Sequence, residues 1–312
     1  MRLTVVFPGQ GTQYVGMGKD FSDNMLFELA NSALGYDLKT MMLEGPAEEL
    51  KKTQNTQPAI VAHSLMMFEK LKSLTQNKNL KIERVLGHSV GEYSALCAAG
   101  AMTFTEAVSA VHFRGKFMQE AVPAGRGTMY AILKQDENII KEACENASNS
   151  EEKVSPANYN EPSQIVISGD RSACEKAIKY LEEKTGNRVK AIELQVSAPF
   201  HCNLMKPAEI KLSTILDSIN FKSLNYNYIA NVDAKEYSME TKPQTIKENL
   251  LKQVCGSVLW TQSIQTLATS PESIIIECGP GKVLTGLIKK INPQLKVISL
   301  DSESGFSEIE AL

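Results

Sequence analysis

Three short apolar runs constrain the fold of this chain more than any other feature. Leu3-Thr4-Val5-Val6-Phe7 stops at Pro8-Gly9, and Val85-Leu86 runs into Gly87. Ser273-Ile274-Ile275-Ile276-Glu277-Cys278 meets Gly279-Pro280-Gly281, after which Lys282 to Lys290 has a helical pattern. A strand with one wet face alternates polar and apolar residues, and these do not. Strands of this kind that feed helices predict a parallel sheet covered on both faces, and so an α/β fold class. The helical spacing of Ile60, Val61, Leu65, Met66, Phe68 and Leu71 predicts a helix over 56–74, with Pro58 in a tolerant first turn. A second helix is expected from Val90 to Ala99, ended by Gly100.

Residues 126–196 follow a different rhythm. Strands are predicted at Thr128 to Leu133, Gln164 to Ser168 and Arg188 to Leu194, with helices at Asp136 to Ala147 and Ser172 to Lys184. This β-α-β…β-α-β order fits a small α+β insert with its helices on one face of a sheet. The chain therefore divides into a large domain of residues 1–125 and 197–312 and a small subdomain of residues 126–196. The polar stretch Glu145 to Lys153 reads as a surface loop, and no repeat or low-complexity tract is visible.

Lys plus Arg is 33 against 36 for Asp plus Glu, a net charge of −3, which argues against nucleic acid as a partner. The six cysteines form no C-x-x-C and read as reduced thiols. No apolar stretch is long enough for a membrane span, and the first strand begins too early to leave room for a secretory signal. A cytoplasmic protein is the expectation.

Gly87-His88-Ser89-Val90-Gly91 is a G-x-S-x-G placed between an apolar run and a helix. In that context Ser89 projects at the positive end of the helix, and the Val90 backbone N–H is placed to serve an oxyanion. A chance glycine-serine turn is the bland alternative. A serine nucleophile needs a base. His63 lies within a helix and reads as structural or exposed; His88 should point away from Ser89; His112 sits on an apolar helix. His201 lies in the loop Ser197 to Cys202, where it is either the base or a satisfied structural histidine. The loop Phe7 to Gln13 is neither a Walker sequence nor G-x-G-x-x-G; it is a tight turn, or a second oxyanion wall in which Gln10 faces Ser89. Arg114, flanked by apolar residues, either snorkels to water or clamps a substrate carboxylate with its planar fork.

Taken together these segments resemble the malonyl-CoA:acyl carrier protein transacylases. The resemblance rests on Phe7-Pro8-Gly9-Gln10-Gly11, Thr56-Gln57-Pro58-Ala59, Gly87 to Leu96, Arg114 within Phe113 to Gln119, Asn158-Tyr159-Asn160, Ser197 to His201, Gln253 ahead of Val258-Leu259-Trp260-Thr261, and Glu277 to Gly281. It implies an α/β-hydrolase-like large domain with a ferredoxin-like insert. It implies Ser89 as nucleophile, His201 as base and then acid, and the backbone N–H groups of Val90 and Gln10 as oxyanion hole. Arg114 would bind the malonyl carboxylate, the Gln253 main-chain carbonyl would orient His201, and Asn158 would contact pantetheine. The implied partners are malonyl-CoA, with the coenzyme A thioester as substrate, and holo acyl carrier protein in transient contact; no bound cofactor or metal is implied. Phe200 and Val90 resemble the malonyl-selective members. Thr12 and Cys202 depart from the usual serines at their positions. An esterase or thioesterase of the α/β-hydrolase type competes, but its histidine usually lies near the C-terminus, and here the last histidine is His201. A silent carrier-docking module would have no use for Ser89, His201 and Arg114.

Overall fold

The computed structural model describes residues 1–76, 78, 80–123, 125–267 and 273–312. A six-stranded sheet has the order β10-β9-β1-β2-β7-β8. Its strands are β1 (Arg2–Phe7), β2 (Lys81–Gly87), β7 (Asn227–Ile229), β8 (Glu236–Tyr237), β9 (Ser273–Cys278) and β10 (Val297–Leu300). The pairs from β10 through β7 are parallel, and β8 runs antiparallel to β7. Burial follows the pleat on both faces. Val5, Phe7, Val85 and Ile276 enter the main core, while Val6, Leu86, Ile229 and Ile275 enter a second core around Trp260, Ile264 and Ile288. The lack of polar alternation thus reports a sheet dry on both sides.

A second, four-stranded sheet has the order β4-β5-β3-β6, with every pair antiparallel. Along the chain it runs β3 (Gly127–Leu133), a helix over Glu137–Ala147, β4 (Val154–Glu161), β5 (Gln164–Asp170), a helix over Arg171–Thr185 and β6 (Lys190–Glu193). Ile132, Ile165 and Ile167 pack under the two helices with Ile140, Cys144, Cys174 and Leu181. Met129, Ala131 and Val166, on the opposite face, join the main core. The expected loop Glu145 to Lys153 is shorter than read, because the helix continues to Ala147.

The helix expected from Thr56 starts at Thr53 and ends at Gln76, so Pro58 lies inside it and not in its first turn. Proline has no N–H for the carbonyl four residues back, which is that of Gln54. That carbonyl pairs with His112 Nδ1 at 3.0 Å instead. The neighbouring helix, Phe104–Glu120, comes close enough to do this because of Gly115. A Cβ there would lie 2.6 Å from Thr53 O and 2.8 Å from the Gln54 Cα. His112→Ala should orphan the carbonyl and cost about 1–2 kcal/mol in a urea melt. In a Pro58→Ala background, where an N–H is restored, the same change should cost clearly less; equal losses would show that the two residues are not linked.

Candidate active site

β2 ends at Gly87, and the chain turns through His88, Ser89 and Val90 into a helix over Gly91–Ala98. The turn is possible because two Cβ atoms are missing. A Cβ on Gly91 would lie 2.1 Å from Phe7 O, and one on Gly87 would lie 2.0 Å from Gly91 O. Ser89 itself is held in the left-handed region at φ 52°. A serine there carries strain on the order of 1–3 kcal/mol and needs the surroundings to impose it. Asn231 imposes it from both sides: its Nδ2 donates to Gly87 O at 2.6 Å, and its Oδ1 accepts from the Ser89 N–H at 2.8 Å.

His201 also sits in the left-handed region, at φ 59°. Its Nε2 is 2.7 Å from Ser89 Oγ, and its Nδ1 is 2.9 Å from the Gln253 main-chain oxygen. A carbonyl can only accept, so the proton is on Nδ1 and the Nε2 lone pair faces the serine hydroxyl. Burial pushes the imidazole pKa down to about 3, and the positive charge of Arg114 adds to the effect. Cys202 Sγ donates to Pro199 O at 3.1 Å and ties the loop on the far side of the histidine.

Arg114 does not snorkel. It is 1% exposed, and its fork turns inward. Nη1 donates to Gln57 Oε1 at 2.9 Å, while Nη2 donates to Gln253 Oε1 at 2.8 Å and to Ser89 Oγ at 3.2 Å. The Tyr93 ring centroid lies 5.7 Å from its Cζ. Burial lowers the guanidinium pKa, but an arginine remains charged.

A cavity of about 330 Å³ opens over Ser89 and His201 between the two sheets. Gln10 borders it on one side, and Met129, Asn158 and Val166 border it on the other. Gln10 Nε2 reaches Thr53 Oγ1 at 3.4 Å, and Thr12 Oγ1 donates to Gly9 O at 2.9 Å, pinning the turn after β1. Helical pairing after the elbow begins at the Gly91 N–H, which donates to His88 O at 2.9 Å, so the Val90 N–H precedes it. His88 Nε2 pairs with Asn160 Oδ1 at 2.9 Å and not with the serine side chain. His63 is buried, with Nε2 3.8 Å from Asp301 Oδ1, so of its two readings the structural one applies.

A second layer of side chains lies beneath, with no local signal in the sequence. Gln57, Glu92, Asn231 and the Gln253 side chain are all buried around the elbow. Glu92 stands in the first turn of its helix, where an acidic residue ordinarily faces water, and no spacing signals Asn231. Burial pushes the Glu92 carboxyl up to about 7, against the opposing pull of Gln253, Tyr228, Asn231 and Arg114. The neutral histidine has a testable consequence. Labelling of Ser89 by phenylmethanesulfonyl fluoride should hold a constant rate from pH 8 to 5, since Nε2 stays unprotonated throughout. A rate that halves near pH 6.5 would mean an ordinary imidazole.

The acyl transferase domain family matches residues 4–292. The chain is 41% identical to the malonyl CoA-acyl carrier protein transacylase of Haemophilus influenzae, covering 99% of this chain and 98% of that one. It is 42% identical to the same-named protein of Bacillus subtilis, over 96% and 93% of the two chains. Among solved structures it is similar to an acyl carrier protein S-malonyltransferase from Vibrio cholerae, with TM-score 0.91, 39% identity and coverage of 99% and 100%. It is also similar to a malonyl-transacylase solved in complex with a type II PKS acyl-carrier protein, with TM-score 0.91, 37% identity and full coverage of both chains.

Proposed function

Because the chain belongs to the acyl transferase family of the malonyl CoA-acyl carrier protein transacylases, we propose that it moves a malonyl group from malonyl-CoA to the phosphopantetheine thiol of holo acyl carrier protein through an acyl-serine, supplying fatty acid synthesis. The observation that carries this reading is the buried Arg114 guanidinium 3.2 Å from Ser89 Oγ, beside a serine–histidine pair. A cation there has a use when the acyl group bears a carboxylate.

In the first half, His201 Nε2 takes the hydroxyl proton as Ser89 Oγ attacks the thioester carbonyl. The oxyanion forms beside the backbone N–H groups of Val90 and Gln10, each such donor being worth about 3–4 kcal/mol. The Gln253 carbonyl stabilises the imidazolium through Nδ1, and Nε2 returns the proton to the departing coenzyme A thiolate. In the second half the pantetheine thiol gives its proton to Nε2, its sulfur attacks the ester, and Ser89 leaves with the proton. A thioester is spent and a thioester is made, so the exchange is nearly balanced and calls for no ATP, metal or bound cofactor. Arg114 takes the malonyl carboxylate with two N–H groups, and Asn158 forms the cavity wall along which pantetheine lies.

The same reading covers the architecture. The parallel sheet with its serine elbow supports an α/β-hydrolase-like large domain of residues 1–125 and 197–312. The order β4-β5-β3-β6 under two helices supports a ferredoxin-like subdomain of residues 126–196. All six cysteines are free thiols, which suits the cytoplasm.

Intact-protein mass spectrometry after incubation with malonyl-CoA tests the nucleophile. The native protein should gain one malonyl group, and Ser89→Ala should gain none; a normal adduct on the variant would move the nucleophile elsewhere. Arg114→Ala tests the carboxylate. Its kcat/KM for malonyl-CoA should fall at least about tenfold to a hundredfold, while acetyl-CoA holds level or improves because the unpaired buried charge is gone. Equal losses for both donors would assign Arg114 a structural role.

A further inference from the structure

Hydrogen-bond donors from two side chains and one backbone amide converge on one buried carboxylate beneath Ser89. Glu92 Oε1 accepts from the Tyr228 hydroxyl at 2.8 Å and from the Asn231 backbone N–H at 3.3 Å, and Oε2 accepts from Gln253 Nε2. The Tyr228 oxygen already accepts from Asn249 Nδ2 at 3.3 Å, which leaves its proton for Glu92. A backbone N–H can only donate. All of these contacts have Glu92 accepting, so they favour its ionised carboxylate over the acid form that burial favours.

Gln253 is an amide, and its two ends are not equivalent. With Nε2 given to Glu92 and to Ser89 O at 2.9 Å, its Oε1 faces Arg114 Nη2. Reversed, the amide would set an NH₂ group against a guanidinium N–H, donor against donor, and a guanidinium has no acceptor with which to adapt. The geometry points to Glu92 as a positioning residue for acyl-group choice: its carboxylate, together with the Ser89 carbonyl, fixes the orientation of the Gln253 amide, which in turn holds Arg114 beside Ser89, ready for an anionic acyl group. Glu92 itself does not line the cavity and acts through Gln253. This inference rests on the malonyl-transfer reading for its readout.

Glu92→Gln is nearly isosteric. If the new amide keeps its oxygen toward Tyr228 and Asn231, its NH₂ meets Gln253 Nε2, and Gln253 must turn over or withdraw. The ratio of kcat/KM for malonyl-CoA to that for acetyl-CoA should fall by about tenfold to a hundredfold, the scale expected when a binding group is misplaced by an ångström. In an Arg114→Ala background, Glu92→Gln should leave the ratio where Arg114→Ala put it. Glu92→Asp, which still only accepts, should keep more of the ratio than Glu92→Gln. A ratio unchanged by Glu92→Gln, or one lowered multiplicatively by the two changes together, overturns the inference, because an elbow that is merely weakened slows both donors alike. Should Glu92→Gln fail to fold, Gln253→Leu keeps the main-chain carbonyl for His201 and removes the amide; it should show the same selective loss, and an unchanged ratio again overturns the inference. A native protein that forms no malonyl adduct overturns the transfer reading and this inference together, whereas an active native protein with an indifferent Glu92→Gln overturns this inference alone.

Discussion

A guanidinium has been taken out of water next to Ser89, and much of the site follows from how that is tolerated. Burying an unpaired charge costs several kcal/mol even after relaxation, so the N–H groups of Arg114 must find fixed acceptors. Nη1 and Nη2 find them on separate segments, Gln57 on the helix after residue 52, Ser89 on the elbow and Gln253 on the helix Pro243–Cys255, while the buried Nε finds none among the described residues. Each partner that touches the fork is a neutral oxygen. The carboxylate of Glu92 lies one amide farther off, on the other end of Gln253. The arginine is thus held in place without being neutralised by direct contact, which on the proposed function leaves its charge for the carboxylate of an acyl group.

Holding these segments in register falls to backbone positions that break local rules. Pro58 inside a helix frees a carbonyl, which His112 takes, on the same turn that presents Gln57 to Arg114. Gly115 sits next to Arg114 and lets the two helices touch. Ser89 and His201 both adopt positive φ, an unfavourable state for residues with a Cβ. Strain in both members of one dyad is affordable because Asn231 and the Gln253 carbonyl tie them from outside. The hydrogen bond between Ser89 and His201 is then set by the backbone itself, the orientation that the proposed function needs from it.

The parts of this arrangement legible in the sequence are those decided locally. β1 and β9 announce themselves by unbroken apolar runs, and the serine elbow by two glycines that sterics demand. β7, β8 and β10 are only two to four residues long, too short for any periodicity to register. β4 carries Pro156, Asn158 and Asn160 and two shifts of register, so its composition reads as loop. Its backbone is nonetheless extended, because β5 pairs along it and Val258 bridges Asn158 from outside the sheet. Glu92 is the clearest case of hidden information. Helix position and charge both assign it to the surface, and only the convergence of Tyr228, Asn231 and Gln253, far away along the chain, makes a buried carboxylate tolerable. The burial of Arg114 was open for the same reason: an arginine among apolar neighbours has the same local pattern whether it snorkels or turns in.

The antiparallel sheet completes the site by having two dry faces of different use. One-residue alternation along β3 and β5 sends Ile132, Ile165 and Ile167 to the subdomain helices, and sends Met129 and Val166 to the cavity. A slip of one residue would exchange these sets, so burial of the helices on one side fixes the wall of the cleft on the other. Met129 and Val166 give that wall an apolar part beside the polar Asn158 and Asn160 of β4. An acyl-serine waiting for a thiol is exposed to hydrolysis by any ordered water that can reach its carbonyl, and the Met129 and Val166 side chains offer such a water no partner. Packing under the subdomain helices and the apolar part of the cavity wall are consequences of the same register.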